Sequence, residues 1–99
     1  MVTTKIKDLN PRMRNVVIEA EVKSKEIVTV SSKPLAKALI KDDTGEIVLN
    51  LWRDQIDQVK VGDRIVVREG FVRLWNGKPE LNTWSRIEVA NAKTQKDVL

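Results

Sequence analysis

The stretch Arg64-Ile65-Val66-Val67-Arg68-Glu69-Gly70-Phe71-Val72-Arg73-Leu74-Trp75 changes phase partway along its length. Ile65 and Val67 are the apolar members at its start, on odd positions. Val72 and Leu74 take that role at its end, on even positions. A half-buried strand hides alternate residues, so one inserted residue must flip the phase between the two halves. Glu69-Gly70 is the natural place for such a β-bulge. A bulge bends a strand and strengthens its twist, which is how a small sheet closes into a barrel.

Upstream, a period of two dominates. Val16, Ile18, Ala20 and Val22 alternate with Val17, Glu19, Glu21 and Lys23, which reads as a first strand. Lys25 to Lys33, including Ser31 and Ser32, reads as a polar connection. Pro34 opens a second strand, in which Ala36, Ala38 and Ile40 alternate with Lys37, Leu39 and Lys41. Asp42-Asp43-Thr44-Gly45 is a turn sequence, with its glycine where a positive φ is cheap. A third strand follows, with Ile47, Leu49 and Leu51 inward and Val48, Asn50 and Trp52 outward. Arg53 to Lys60 then holds Ile56 and Val59 three apart, which suits one or two helical turns ended by Val61-Gly62-Asp63. Beyond the fourth strand, Asn76-Gly77-Lys78-Pro79 turns the chain and Leu81 to Val89 reads as a fifth. Residues 1–90 therefore read as one domain and residues 91–99 as a polar C-terminal tail.

Three strands, a short helix and two more strands is the order of the OB-fold, an all-β five-stranded barrel with a helix between strands 3 and 4. Ile56 and Val59 would close one end of it. An SH3-like barrel does not usually carry a helix of this length at that point.

Composition narrows the function. The chain has 99 residues, enough for one core, and 41% of them are hydrophobic. Cysteine and histidine are both absent, which removes thiolate metal sites and the usual general base near neutral pH. No metal, cofactor or enzyme activity is expected. No apolar run is long enough to span a bilayer, and the N-terminus lacks a signal peptide's apolar stretch. A cytoplasmic, nucleoid-associated monomer without membrane contact is the expectation. The net charge of +4 favours polyanions only weakly.

The aromatics say more. There are three tryptophans, one phenylalanine and no tyrosine. The strand phases put Trp52, Phe71, Trp75 and Trp84 all on the outward face, leaving a core of Val, Ile, Leu and Ala. Aromatic side chains bury large apolar areas and ordinarily go inside; an exposed cluster calls for a partner. Basic residues interleave with it: Arg53 beside Trp52, Arg73 between Phe71 and Trp75, Lys78 in the adjoining turn, and Arg86 two past Trp84. Lys37 and Lys41 join them as expected phosphate contacts. Unpaired bases offer π-faces that stack on aromatics for roughly 1–3 kcal/mol each, whereas a duplex hides those faces. The expected ligand is single-stranded nucleic acid, over about 4–6 nucleotides.

The order of these pieces resembles a known family. Asp42-Asp43-Thr44-Gly45, then Ile47 to Leu51 ending in Trp52, Gly62-Asp63, and Phe71-Val72-Arg73-Leu74-Trp75-Asn76-Gly77-Lys78 through Leu81-Asn82 resemble the archaeal single-domain single-stranded DNA-binding proteins, OB-fold relatives of replication protein A. The resemblance runs from about Lys5 to Val89. It implies base stacking on Trp52, Phe71 and Trp75, DNA as the ligand, and a role in replication or repair with partner proteins of those processes. Trp84 has no counterpart in that pattern; it either adds a fourth platform or packs beside the others.

Competing readings have their own signatures. Asp43-Thr44-Gly45 is also the aspartic-protease triplet, but Lys41-Asp42 precedes it and Glu46 follows, where such an enzyme needs an apolar strand and a small residue. Lys5, Lys7, Lys23, Lys25, Lys93 and Lys96 read as solvating charges, and Asp54 and Asp57 as solvent-facing helix residues. RNA is the rival ligand, since stacking does not read the 2′-hydroxyl. A protein-interaction domain, with the aromatic patch docking a partner, is the rival class.

Overall fold

A computed structural model describes residues 2–90. After a 3-10 turn at Ile6–Asp8 come β1 (Arg14–Val30), β2 (Lys33–Lys41), β3 (Glu46–Trp52), α1 (Gln55–Gln58), β4 (Arg64–Trp75), β5 (Lys78–Asn82) and the two-residue β6 (Glu88–Val89). The strands lie in the order β1-β2-β3-β5-β4-β6, and pairing of β1 with β4 closes the barrel. Among the described residues, only β3 and β5 pair in parallel. This is the OB-fold, with its helix between β3 and β4. The tail at residues 91–99 lies outside the described residues.

Alternation explains most of the core. Ile18, Ala20 and Val22 from β1, Ala36, Ala38 and Ile40 from β2, and Leu49 and Leu51 from β3 are all at most 1% exposed. No aromatic ring belongs to the core cluster. Each large aliphatic side chain buried this way contributes roughly 1.5–3 kcal/mol. Val59 seals the helical end, with Ile56 packed against the core. Lys25, read above as a solvating charge, fastens that end: its ammonium donates to the carbonyls of Ile56 and of Val59 (2.8 Å).

The phase flip in β4 falls where the sequence placed it. Val16 pairs with Gly70 and Ile18 with Val67, so β4 carries one residue more than β1 over that interval. The left-handed conformation is taken by Glu69 (φ 52) rather than by Gly70. Gly70 answers to space instead: a Cβ there would lie 3.1 Å from both Leu81 Cδ1 and Val16 Cγ2.

Five expectations are corrected. The connection at Lys25 to Lys33 is strand almost throughout: β1 and β2 pair out to Val30 and Lys33 around a two-residue turn of Ser31 (φ 50) and Ser32 (φ 66). Here β1 pairs with β2 alone and leaves Ile27 and Thr29 exposed, so no buried face imposes alternation on it; its β-branched Ile27, Val28 and Thr29 favour strand regardless. Gly45 does not adopt a positive φ. The Asp42 carboxylate shapes that turn, accepting from Thr44 N (2.7 Å), Thr44 Oγ1 (2.6 Å), Gly45 N (3.1 Å) and Ile6 N (2.8 Å). Burial pushes the Asp42 carboxyl up, but those hydrogen bonds outweigh it and hold it below the ordinary aspartate range. Leu74 is 57% exposed rather than inward, because it pairs with the exposed Pro79 where the β4–β5 hairpin projects past the barrel wall. The fifth strand stops at Asn82. Thr83 breaks it, its hydroxyl donating to Arg68 O (2.6 Å) and accepting from Ser85 N (3.0 Å), and pairing resumes only at β6. Trp84 therefore sits in a bend, not on a strand.

Candidate nucleic-acid interface

The outer faces of β2, β3, β5 and β4 form one surface. Position 52 ends β3, opposite Leu35 on β2. Trp52 is half-buried there, and its indole Nε1 donates to Asn82 Oδ1 at 3.3 Å. Beside it lies a polar floor. Asn50 Nδ2 donates to Glu80 Oε1 at 2.9 Å, and Lys37 Nζ donates to both Glu80 Oε1 and Asn50 Oδ1 at 2.9 Å. Asn50, Glu80 and Asn82 are all buried. The Lys37 ammonium also sits 4.8 Å from the centre of the Trp75 ring, in reach of a cation–π contact.

Phe71 and Trp75 lie four residues apart on β4, past the bulge that turned this half of the strand. Phe71 is half-buried, with the Arg73 guanidinium 5.2 Å over its ring and Trp84 5.5 Å away at an interplanar angle of 39°. Trp75 is 45% exposed and Trp84 74%.

The bend carrying Trp84 is held from two sides. On one, Gln55 is buried between β3 and the bend: its Oε1 accepts Trp52 N at 3.0 Å, and its Nε2 donates to Thr83 O at 2.8 Å and Ser85 O at 3.0 Å. Gln58 Oε1 accepts Ile87 N at 2.9 Å. On the other side, the Ser85 hydroxyl bonds the Glu69 carboxylate at the β4 bulge. The bend is thus tethered on both sides while the Trp84 ring stays exposed.

Trp84 stands as a ridge between two clefts. The smaller, about 530 Å³, runs from Trp52 past Trp84 and is edged by Lys33, Arg53 and Arg86. The larger, about 980 Å³, lies between the segment before β1 and the Phe71 end of β4.

The expected site residues are thus distributed unevenly. Trp52, Phe71, Trp84, Arg53, Arg73 and Arg86 line these clefts. Trp75 lies outside both, against Lys37, and Lys78 pairs with it across the hairpin. Lys37 reaches the same surface but is committed to Glu80. Lys41 is not brought there: it pairs with Glu46 at the other end of β2, about 20 Å along from Leu35 at ~3.3 Å per residue. Sequence reasoning missed Asn50, Glu80, Asn82, Gln55 and Lys33. Alternation does mark the first three as outward; Gln55 is marked by no pattern, and two of its three partners, the carbonyls of Thr83 and Ser85, lie 28 and 30 residues away. Asp43, of the protease-like triplet, is exposed and ion-paired with Lys5 at 2.9 Å. No helix among the described residues is long and apolar enough to cross a membrane, and none of their acidic side chains cluster as a metal site.

Known proteins share this architecture. The family model described as single-stranded DNA binding protein Ssb-like, OB fold, matches residues 3–89. A single-stranded DNA binding protein Ssb of Saccharolobus solfataricus is similar at 25% identity, covering 89% of this chain and 63% of that relative. An uncharacterized protein of Arabidopsis thaliana is 30% identical, covering 79% of this chain and 55% of its own. This chain therefore spans less than two thirds of either curated relative. Among solved structures, a domain of replication protein A from Methanococcus maripaludis superimposes with a TM-score of 0.76 at 31% identity, over 91% of this chain and 97% of that domain.

Proposed function

The chain belongs to the Ssb-like OB-fold family, and from that premise we propose that it binds single-stranded DNA largely independently of sequence. Bases stack on Trp52, Phe71 and Trp75, with Trp84 as a fourth platform, while Arg53, Arg73, Lys78 and Arg86 take phosphates. The observation that carries this reading is an aliphatic core with no ring in it, against an outer surface that gathers all four rings. Every base has a π-face, so stacking of this kind tolerates any sequence. Lys37 compensates the Glu80 carboxylate, so that acid does not repel a polyanion. The role is protection of single strands in replication, recombination or repair, as a binding protein in the cytoplasm and nucleoid.

Single substitutions test it. Trp52→Ala, Phe71→Ala and Trp75→Ala should each weaken oligo-dT binding by roughly 1–3 kcal/mol, read by fluorescence anisotropy, with the fold retained by circular dichroism. Full affinity in all three variants would reject the proposal. An RNA oligonucleotide bound more tightly than its DNA equivalent would reassign the ligand.

A further inference from the structure

The larger cleft lies to one side of the surface just described. Its outer wall is a turn built on Asn10, whose carbonyl accepts Met13 N at 3.1 Å and whose side-chain oxygen accepts Arg12 N at 3.0 Å. The Met13 carbonyl in turn accepts Val72 N at 3.1 Å, which fastens the turn to β4. Asn15, at φ 58, then supplies an extra residue between the pairings Arg14↔Phe71 and Val16↔Gly70. That bulge reverses the phase of β1. Val16 points into the core, and Arg14 emerges on the same face as Phe71, its cross-strand partner.

Three guanidinium groups therefore edge this cleft: Arg12, Arg14 and, over the Phe71 ring, Arg73. None of them pairs with a carboxylate among the described residues. The acid in the lining, Glu69, is already hydrogen-bonded by the Ser85 hydroxyl. Apart from Asn15, the rest of the lining is apolar and aromatic, with Met13, Leu74, Phe71 and Trp84 its large side chains. Unpaired cations around exposed apolar surface repel one another and leave that surface wet, so the cleft is complementary to a ligand that is anionic at one end and flat and apolar at the other. Its volume of about 980 Å³ lies at the upper end of the ~300–1,000 Å³ typical of ligand sites.

We propose that this cleft is an additional nucleotide subsite. A strand lying across the outer surface continues past the Phe71–Trp84 pair, sets a further base against Leu74 and Trp84, and places its phosphates on Arg12 and Arg14. The proposal rests on the reading of the outer surface as a single-strand site, and it lengthens that site toward the N-terminus of the domain. It also gives the exposed Leu74 a use that folding alone does not supply.

The test compares wild-type protein with Arg12→Gln/Arg14→Gln on two oligo-dT ligands, one of about four nucleotides and one of about eight. The double variant is expected to bind the shorter ligand as wild type does and the longer one about tenfold more weakly, as for two lost charge-assisted contacts. Its slope of log affinity against log salt on the longer ligand should fall by about 1.4, at ~0.7 per phosphate contact on a single strand. Equal losses on both ligands, or none on either, would overturn the subsite while leaving the outer-surface reading intact. Wild-type protein that binds neither ligand would fail that reading itself, and the subsite with it. A second measurement needs no variant. The Met13 methyl resonance in wild-type protein should shift on adding the longer ligand and not the shorter. A Met13 signal unmoved by the bound longer ligand overturns the proposal even if the double variant does not fold.

Discussion

Replacing Gln55 should damage the fold and the binding surface together. Its amide makes three hydrogen bonds while only 7% exposed: it accepts from Trp52 N and donates to the carbonyls of Thr83 and Ser85. Each such bond contributes about 1 kcal/mol net, and a buried group left without a partner costs about 1–3 kcal/mol. Gln55→Ala should therefore lose about 2–4 kcal/mol, a fall in Tm on the order of 10–25 °C for a domain this size. Gln55→Glu separates shape from chemistry. Its carboxylate can still accept from Trp52 N, but it turns an oxygen toward two carbonyls that need donors. Those carbonyls and the burial raise its folded pKa above the unfolded value near ~4.3. The part of the penalty due to ionisation is accordingly absent below about pH 4.3 and grows as pH rises through the folded pKa, while the protonated acid, with a single O–H, still leaves one of the two carbonyls without a donor. Thermal melts of wild type, Gln55→Ala and Gln55→Glu across pH measure this directly. Oligo-dT affinity in the Trp84→Ala background supplies the coupling, because a residue that acts by holding Trp84 should matter less once Trp84 is gone. A Gln55→Glu protein as stable as wild type at neutral pH, or one that weakens on acidification relative to wild type, would refute the reasoning.

Three further outcomes follow from the structure. The Asp42 carboxyl is held low by its hydrogen bonds, so its contribution to stability is full above about pH 4 and is lost as pH falls below that value. Asp42→Ala should lower neutral-pH stability by about 1–2 kcal/mol and flatten the acid limb of the melting profile. Ser31→Asn/Ser32→Gly replaces two left-handed serines with the preferred residues of such a turn, and urea denaturation should show a gain of about 1 kcal/mol. Lys37→Ala strands the Glu80 carboxylate and should cost about 1–3 kcal/mol together with DNA affinity, partly restored by adding Glu80→Gln; Lys41→Ala should change stability by less than about 0.5 kcal/mol and leave binding unaltered.

The barrel was legible because its inner face obeys a period of two, and because the break in that period at Glu69-Gly70 could mean only a bulge. What escaped has a physical pattern. The far end of β1 pairs with β2 alone and the Leu74 end of β4 is exposed, and a strand without a buried face writes no alternation into its residues. Trp84 was placed by parity on a strand that Thr83 interrupts, and that interruption depends on the Arg68 carbonyl fifteen residues away. The outward positions of Trp52, Phe71 and Trp75 could be read from phase alone, since they need only local alternation. Their supports could not. Gln55 joins Trp52 to the Trp84 bend across 28 to 30 residues, and Lys37 reaches Glu80 across 43. Lys37 and Lys41 look equivalent in sequence, yet one end of β2 meets the tryptophans and the other meets Glu46.

The most direct measurement is an intrinsic tryptophan fluorescence titration with oligo-dT over a range of salt concentrations. All three tryptophans lie at the proposed surface, so stacking should quench the emission strongly, saturate at about one protein per 4–6 nucleotides, and weaken with salt as counterions are released. Emission unchanged by saturating oligo-dT at low salt would contradict the account.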